Sequence, residues 1–356
     1  MHTVDVMTSS PVSHTTRIRM VSSTSSTTRS TTNRRSTFFR FLVGALLLLN
    51  TSTTAAALTL SPLQSLALGS RLASIQQAVR QEITSSANRS TTAATPTIND
   101  DLFTFLKNNN KHPTIVFPGS GGPDVLTDEL QQAINNDAAQ TSSSSCIVWD
   151  WQHHRGTIAT AAFDGEAVGE ALAEATIRAL QLEDSSSSSN NDNSKQQQLT
   201  SIHIVGISVG AFCANAMASA LYDHFQHKDG NNNAHRPHIQ LTLLDPFCTR
   251  GLVGVGYGAT HFGIKADYAE HYLNTDDPVP STNNALPHCY CIDITQAPQR
   301  RTFVLPEGET TMHCWPVAYM ARHVVGGSGV GGSSNNNGVL PTHDESRPRG
   351  AVNVIR

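Results

Sequence analysis

The sequence predicts an α/β fold: a mostly parallel sheet with helices on both faces. Two observations lead there. Short β-branched or aromatic runs alternate with longer segments whose apolar residues recur at helical spacing. The turns leaving several of those runs are rich in Gly, Pro and Asp, as in "PGSGG" (118–122), "GISVG" (206–210) and "LLDPF" (243–247). In such sheets the reactive crevice lies at the carboxyl ends of the strands. All three turns, with the loop at His313, are therefore expected on one edge.

The elements follow in order. "PTIVF" (113–117) reads as a buried strand, and Asp124 after its Gly-rich turn as a helix N-cap. Val125, Leu126, Leu130 and Ile134 then carry helical spacing. "CIVWDW" (146–151) is a strand, and residues 163–183 are a helix with Val168, Leu172, Ile177 and Leu180 on its apolar face. "SIHIV" (201–205) is a strand followed by an Ala-rich helix to Phe225. Strands are expected at 238–245, 266–274 and 289–294, and 313–323 begins on a loop and turns helical.

Composition sets the boundaries. Residues 113–325 suit one catalytic-sized domain, interrupted by polar runs at 141–145, 184–198 and 229–233. Such runs bury too little apolar surface to offset chain ordering and read as loop insertions. Residues 326–356, which open on "GGSGVGGSSNNNG", are expected to be a disordered tail. Residues 1–57 resemble a signal peptide: Arg34, Arg35 and Arg40 precede the nine-residue apolar run "FLVGALLLL", and Ala55 and Ala57 follow. Residues 58–112 read as a flexible, transit-like or pro-like segment. Its Leu72, Ile75, Val79 and Ile83 also fit an N-terminal helix lying on the domain. The expected location is the secretory pathway or outside the cell, with an organelle reached through a signal plus transit-like segment as the alternative. The six cysteines fit an oxidising compartment. Cys289, Cys291, His288, His313 and Cys314 crowd together in sequence but match no standard zinc spacing. Asn88-Arg89-Ser90 is a glycosylation sequon. The net charge of −4 and the lack of a basic stripe argue against a nucleic-acid partner.

The chemistry centres on Gly206-Ile207-Ser208-Val209-Gly210. A nucleophile at a sharp strand-to-helix turn needs small neighbours two residues away, and the turn frees the following amide for an oxyanion. A strand precedes this Gly-x-Ser-x-Gly and a small-residue helix follows, so Ser208 is the expected nucleophile. In the α/β-hydrolase chain order the acid and then the base come downstream. His313 follows the last predicted strand segment and is the expected base. Asp245 and Asp277 each stand just past a strand end before a proline, and both remain open as the acid. The amides of Val209 and Ser120 are the expected oxyanion donors. The absence of a P-loop pattern argues against a nucleotide site.

From about Thr114 to His313 these motifs together resemble the pancreatic-type lipase family, which includes the lipoprotein and hepatic lipases. "TIVFPGS" is similar to that family's strand and oxyanion loop, "IVWDW" to its strand ending in Asp-Trp, and "AAFDGEAVGEALA" to its following helix. "IHIVGISVGA" resembles the family's nucleophile segment, and "LTLLDP" its acid segment, which favours Asp245. "NTDDPVP" resembles the acid segment of class 3 lipases and keeps Asp277 as the alternative. Ile207 stands where the family has His, the oxyanion loop begins Pro-Gly rather than His-Gly, and no C-terminal lipid-binding sandwich follows. Only 250–263 could serve as a flap. The resemblance implies an α/β-hydrolase fold and a serine-dependent carboxylic ester hydrolase, lipase- or esterase-like, working through an acyl-enzyme. It implies no cofactor and no metal. The partner is an acyl ester or lipid substrate with transient lipid-surface contact, and no protein partner is inferred. The alternatives are another acyl hydrolase (galactolipase, thioesterase or peptidase) or an inactive hydrolase-like binding protein.

Overall fold

The structure, a computed structural model, describes residues 62–87, 102–107, 111–141, 144–157, 160–186, 199–228, 236–251, 254–277, 279, 282–325 and 347–356. The signal-like segment and the Asn88 sequon lie outside the described residues. Among the described residues no helix is long and apolar enough to cross a membrane.

Seven parallel strands form one sheet in the order β2-β1-β3-β4-β5-β6-β7. They are β1 (His112–Phe117), β2 (Ser144–Val148), β3 (Ser201–Ile207), β4 (His238–Leu244), β5 (Tyr268–Leu273), β6 (Tyr290–Asp293) and β7 (Val352–Val354). The central strands are buried along almost their whole length, as expected of parallel strands covered on both faces. The chain steps from β1 outward to β2, then back across β1 to β3. Right-handed crossovers therefore require the β1–β2 helix and the β2–β3 helix to lie on opposite faces, and they do. Helix α3 (Val125–Thr141) packs on the face carrying Val116, Val148, Val205 and Tyr272, together with α7 (Trp315–Tyr319, continuing as a π-helix over Met320–Val325). Helices α4 (Ala161–Ser186) and α5 (Ala211–Lys228) cover the other face, over Ile115, Ile204, Leu241 and Leu243. A short α6 (Tyr257–His261) joins β4 to β5.

Glycines bring α4 and α5 into contact. A Cβ on Gly169 would come within 2.2 Å of the Cys213 carbonyl oxygen, and one on Gly165 within 3.2 Å of the Cys213 Sγ. The small residues Cys213 and Ala216 of α5 meet these glycines from the other side.

Part of the segment expected to be flexible or transit-like is helical. Helix α1 (Pro62–Ala87) buries Ile75, Val79 and Ile83, and α2 (Leu102–Lys107) buries Leu102, Phe105 and Leu106, all in the α4–α5 cluster. The spacing of Leu72, Ile75, Val79 and Ile83 does mark the buried face. A bidentate pair fixes α1: Arg71 donates from Nε to Asp164 Oδ1 (2.7 Å) and from Nη2 to Oδ2 (3.0 Å). Asp164 is fully buried at the start of α4 and also accepts from the Gly156 amide and Thr160 Oγ1.

The expectation of a disordered tail from 326 onward is corrected for residues 347–356. After the Gly/Asn-rich run come Val352, Val354 and Ile355, an alternating strand pattern. The chain pairs with β6 there, with bonds from the Gly350 amide to the Cys289 carbonyl and from the Ile355 amide to the Asp293 carbonyl. Arg349 anchors it by donating to the Ala266 carbonyl oxygen at 2.6 Å.

Each polar run of the sequence separates the end of a helix from the start of a strand: α3 from β2, α4 from β3, α5 from β4 and α7 from β7. In a parallel sheet those junctions all belong to the amino edge.

Candidate active site

The carboxyl edge holds the residues singled out in the sequence. Strands β1 and β3 are neighbours, although the chain leaves β1 in the opposite direction across the sheet from the one in which it leaves β3. Their ends form the switch point at which such sheets open a crevice. Ser208 sits there, directly after β3, on a 3-10 turn (Ser208–Gly210) that runs into α5. Its φ is +52°, a left-handed conformation that a non-Gly residue rarely adopts. The neighbours explain how it is held. A Cβ on Gly206 would meet the Ala211 Cα at 2.7 Å, and one on Gly210 the Phe117 and Pro118 carbonyl oxygens at 2.4 and 2.5 Å. Both positions must be glycine for β3 to turn this sharply under the β1 loop. Among the described residues the Ser208 side chain makes no hydrogen bond. The Val209 amide lies in the first turn of the 3-10 helix, where amides have no intrahelical acceptor.

The loop after β1 runs beside Ser208. A Cβ on Gly119 would rest in ordinary contact with the Ser208 Cβ at 3.4 Å, which shows how near this backbone runs to the serine. The Gly122 amide bonds the Gly119 carbonyl (3.1 Å), which places Ser120 inside a tight turn. Trp151 Nε1 donates to the Pro118 carbonyl at 2.9 Å and fixes the loop from β2's side. Asp124 caps α3 as expected, accepting from the Thr127 amide at 2.8 Å.

His313 stands on a 3-10 turn (Met312–Cys314) ahead of α7. Asn274 Nδ2 holds that turn by donating to the Met312 carbonyl (3.0 Å). The imidazole Nδ1 faces Asp245 Oδ2 at 2.7 Å and Asp277 Oδ2 at 2.5 Å. Sequence offered the two aspartates as alternatives; the structure brings both to one nitrogen. Asp245 is aligned to accept the Nδ1 proton, whereas Asp277 Oδ2 has no aligned partner. Asp277 Oδ1 accepts from the Val279 amide (3.0 Å). Asp245 also has a left-handed backbone, φ +46°, and the turn it begins returns to Ser208: the Phe247 amide donates to the Ser208 carbonyl at 3.0 Å.

Burial of these charges moves their ionisation. Burial acts to lower the His313 pKa, but the hydrogen bond to Asp245 and the contact with Asp277 outweigh it and raise it to about 10. Burial raises Asp245 to about 8 against the pull of His313. For Asp277 burial acts upward, yet its contact with His313 leaves it below the usual carboxylate value. The imidazole and both carboxylates titrate as one unit.

All six cysteines are free and buried, and Cys289, Cys291, His288 and Cys314 form no donor cluster with His313 among the described residues. The segment that could serve as a flap is tied at Arg250, whose Nη2 donates to Glu166 Oε2 (2.5 Å). The Arg250 guanidinium also stacks over Phe163 and Tyr257, at 4.5 and 4.7 Å. Sequence reasoning did not identify the Arg71–Asp164 lock, although a lone acid in the first turn of an Ala-rich helix was its visible trace.

Comparison of the sequence with protein-family profiles finds no matching family, and comparison with curated proteins finds no match.

Proposed function

We propose that the protein is a serine-dependent carboxylic ester hydrolase of α/β-hydrolase type, with Ser208 at a nucleophile elbow. The observation that carries this reading is the left-handed Ser208 at the β3–α5 turn, wedged between Gly206 and Gly210. Ser208 Oγ attacks the acyl carbonyl. His313 takes the proton and returns it to the leaving alcohol, with Nδ1 held by Asp245 and Asp277 and Nε2 left for the reacting side. A hydroxyl–imidazole bond of this kind often tightens only in the substrate complex. The amides of Val209 and Ser120 are the proposed oxyanion donors, each worth about 3–4 kcal/mol in a comparable site.

The proposed substrate is an acyl ester, of the kind hydrolysed by lipases and esterases. Ile207 beside the nucleophile and the tied segment at Arg250 favour a simple esterase over an interfacially activated triglyceride lipase. The test is fluorophosphonate labelling with p-nitrophenyl ester turnover on folded protein. Wild type should label and turn over, and Ser208→Ala should lose the label with a fall in kcat of about four orders of magnitude or more. Folded wild type that takes no label overturns the proposal.

A further inference from the structure

A second group of chemically competent side chains lies apart from the Asp245–Asp277–His313 cluster. Glu82, near the end of α1, points one carboxylate oxygen at two consecutive histidines on the turn after β2. Its Oε2 is 3.1 Å from His153 Nε2 and 3.0 Å from His154 Nε2. The three donor atoms lie within 4.8 Å of one another. The imidazole ring centroids are 3.9 Å apart, with the ring planes tilted by 44°. We propose that Glu82, His153 and His154 form a divalent transition-metal site, with zinc the ion it suits best.

The chemistry of the donors selects the ion. Two imidazole nitrogens and one carboxylate suit zinc and its first-row neighbours; magnesium and calcium prefer all-oxygen shells. In a tetrahedral zinc site with bonds of about 2.0–2.1 Å, neighbouring donors stand about 3.3–3.4 Å apart. The separations from Glu82 Oε2 need widen by only a few tenths of an ångström. The turn itself is built to present both rings: the His154 amide bonds the Trp151 carbonyl (3.0 Å) and the Arg155 amide the Gln152 carbonyl (3.3 Å). The His154 side chain is 8% exposed and that of His153 is 50% exposed. One side of the site is therefore walled by protein, and the other leaves a fourth position for water.

The ligands come from two separate parts of the chain, 71 and 72 residues apart. A bound ion would pin α1 to the turn after β2. That turn also contains Trp151, whose indole holds the loop beside Ser208.

The experiment is zinc titration of the chelator-treated full chain by calorimetry, with thermal melts and hydrogen exchange of the α1 amides. Wild type should bind one equivalent, melt at higher temperature with zinc and exchange more slowly over 62–87; excess magnesium should not compete. The His153→Ala/His154→Ala protein should lose that equivalent, and Glu82→Gln should weaken it. His313→Ala should keep it, which separates this site from the Asp245–Asp277–His313 cluster. If the double variant fails to fold, His153→Ala alone, at a half-exposed position, serves in its place. Wild type that binds no zinc overturns the proposal. So does an equivalent that survives in the histidine variants, or one that disappears only in His313→Ala.

Discussion

At the scale of single residues, the pair of carboxylates on His313 makes the sharpest predictions. Both carboxylates lie against Nδ1, so Asp245→Asn and Asp277→Asn should each lower kcat/KM, by about 10²–10³. The double variant should approach the roughly 10⁴ loss known for removal of a triad acid. Of the two singles, Asp245→Asn should cost more, because Asp245 is the one aligned with Nδ1. A larger loss in Asp277→Asn, measured on the same ester, reverses that assignment. The pH profile carries a sign. If His313 is the base, as proposed, it must be neutral to act, and the two neighbouring carboxylates stabilise its charged form and raise it to about 10. The acid limb of kcat/KM should therefore lie well above the ordinary histidine value of about 6.5. Removing one anion stabilises the imidazolium less, so Asp277→Asn should move that limb to lower pH. A limb that stays in place shows that Asp277 does not act on the imidazole.

At the scale of elements, close approach of backbones decides stability. Gly169→Ala must push α4 off the Cys213 carbonyl, and backbone cannot yield as a side-chain tip can. The expected loss is about 1–3 kcal/mol, seen as a lower denaturant midpoint. Arg71→Met should loosen α1. It strips the cation from a buried Asp164 that keeps its bonds to the Gly156 amide and Thr160, so about 1–3 kcal/mol is again expected. Hydrogen exchange should speed up over 62–87 before the rest of the domain. These elements were legible in the sequence to different degrees. The buried stripe of α1 was readable from Leu72, Ile75, Val79 and Ile83, because helical periodicity is a local signal. Whether that helix packs or stays free was not, since its partner Asp164 lies 93 residues away. Helix α2 is only six residues long and left no periodicity to read.

At the scale of the molecule, the alternation of strands and helices and the placing of Ser208, Asp245 and His313 on one edge followed from order along the chain. The convergence of Asp277 with Asp245 did not, because two strand ends that look alike in sequence become neighbours only through the register of β4, β5 and β6. Strand β7 was hidden by its context: three β-branched residues after a long Gly/Asn run carry little weight until β6 offers them an edge. Truncation after residue 346 exposes that edge and frees the carbonyls that Arg349 now holds. The shortened protein should melt several degrees lower and aggregate more readily on heating, as light scattering would record.

The polar runs at the amino edge have a practical consequence. Exchanging residues 187–198 for a short Gly-Ser segment should leave ester turnover within about twofold, because that junction sits the full height of the sheet from Ser208. New chain termini, or a whole reporter domain, should be accepted there for the same reason. A fluorescent protein spliced between α4 and β3 would report on the fold of this molecule without standing in the way of whatever enters its crevice.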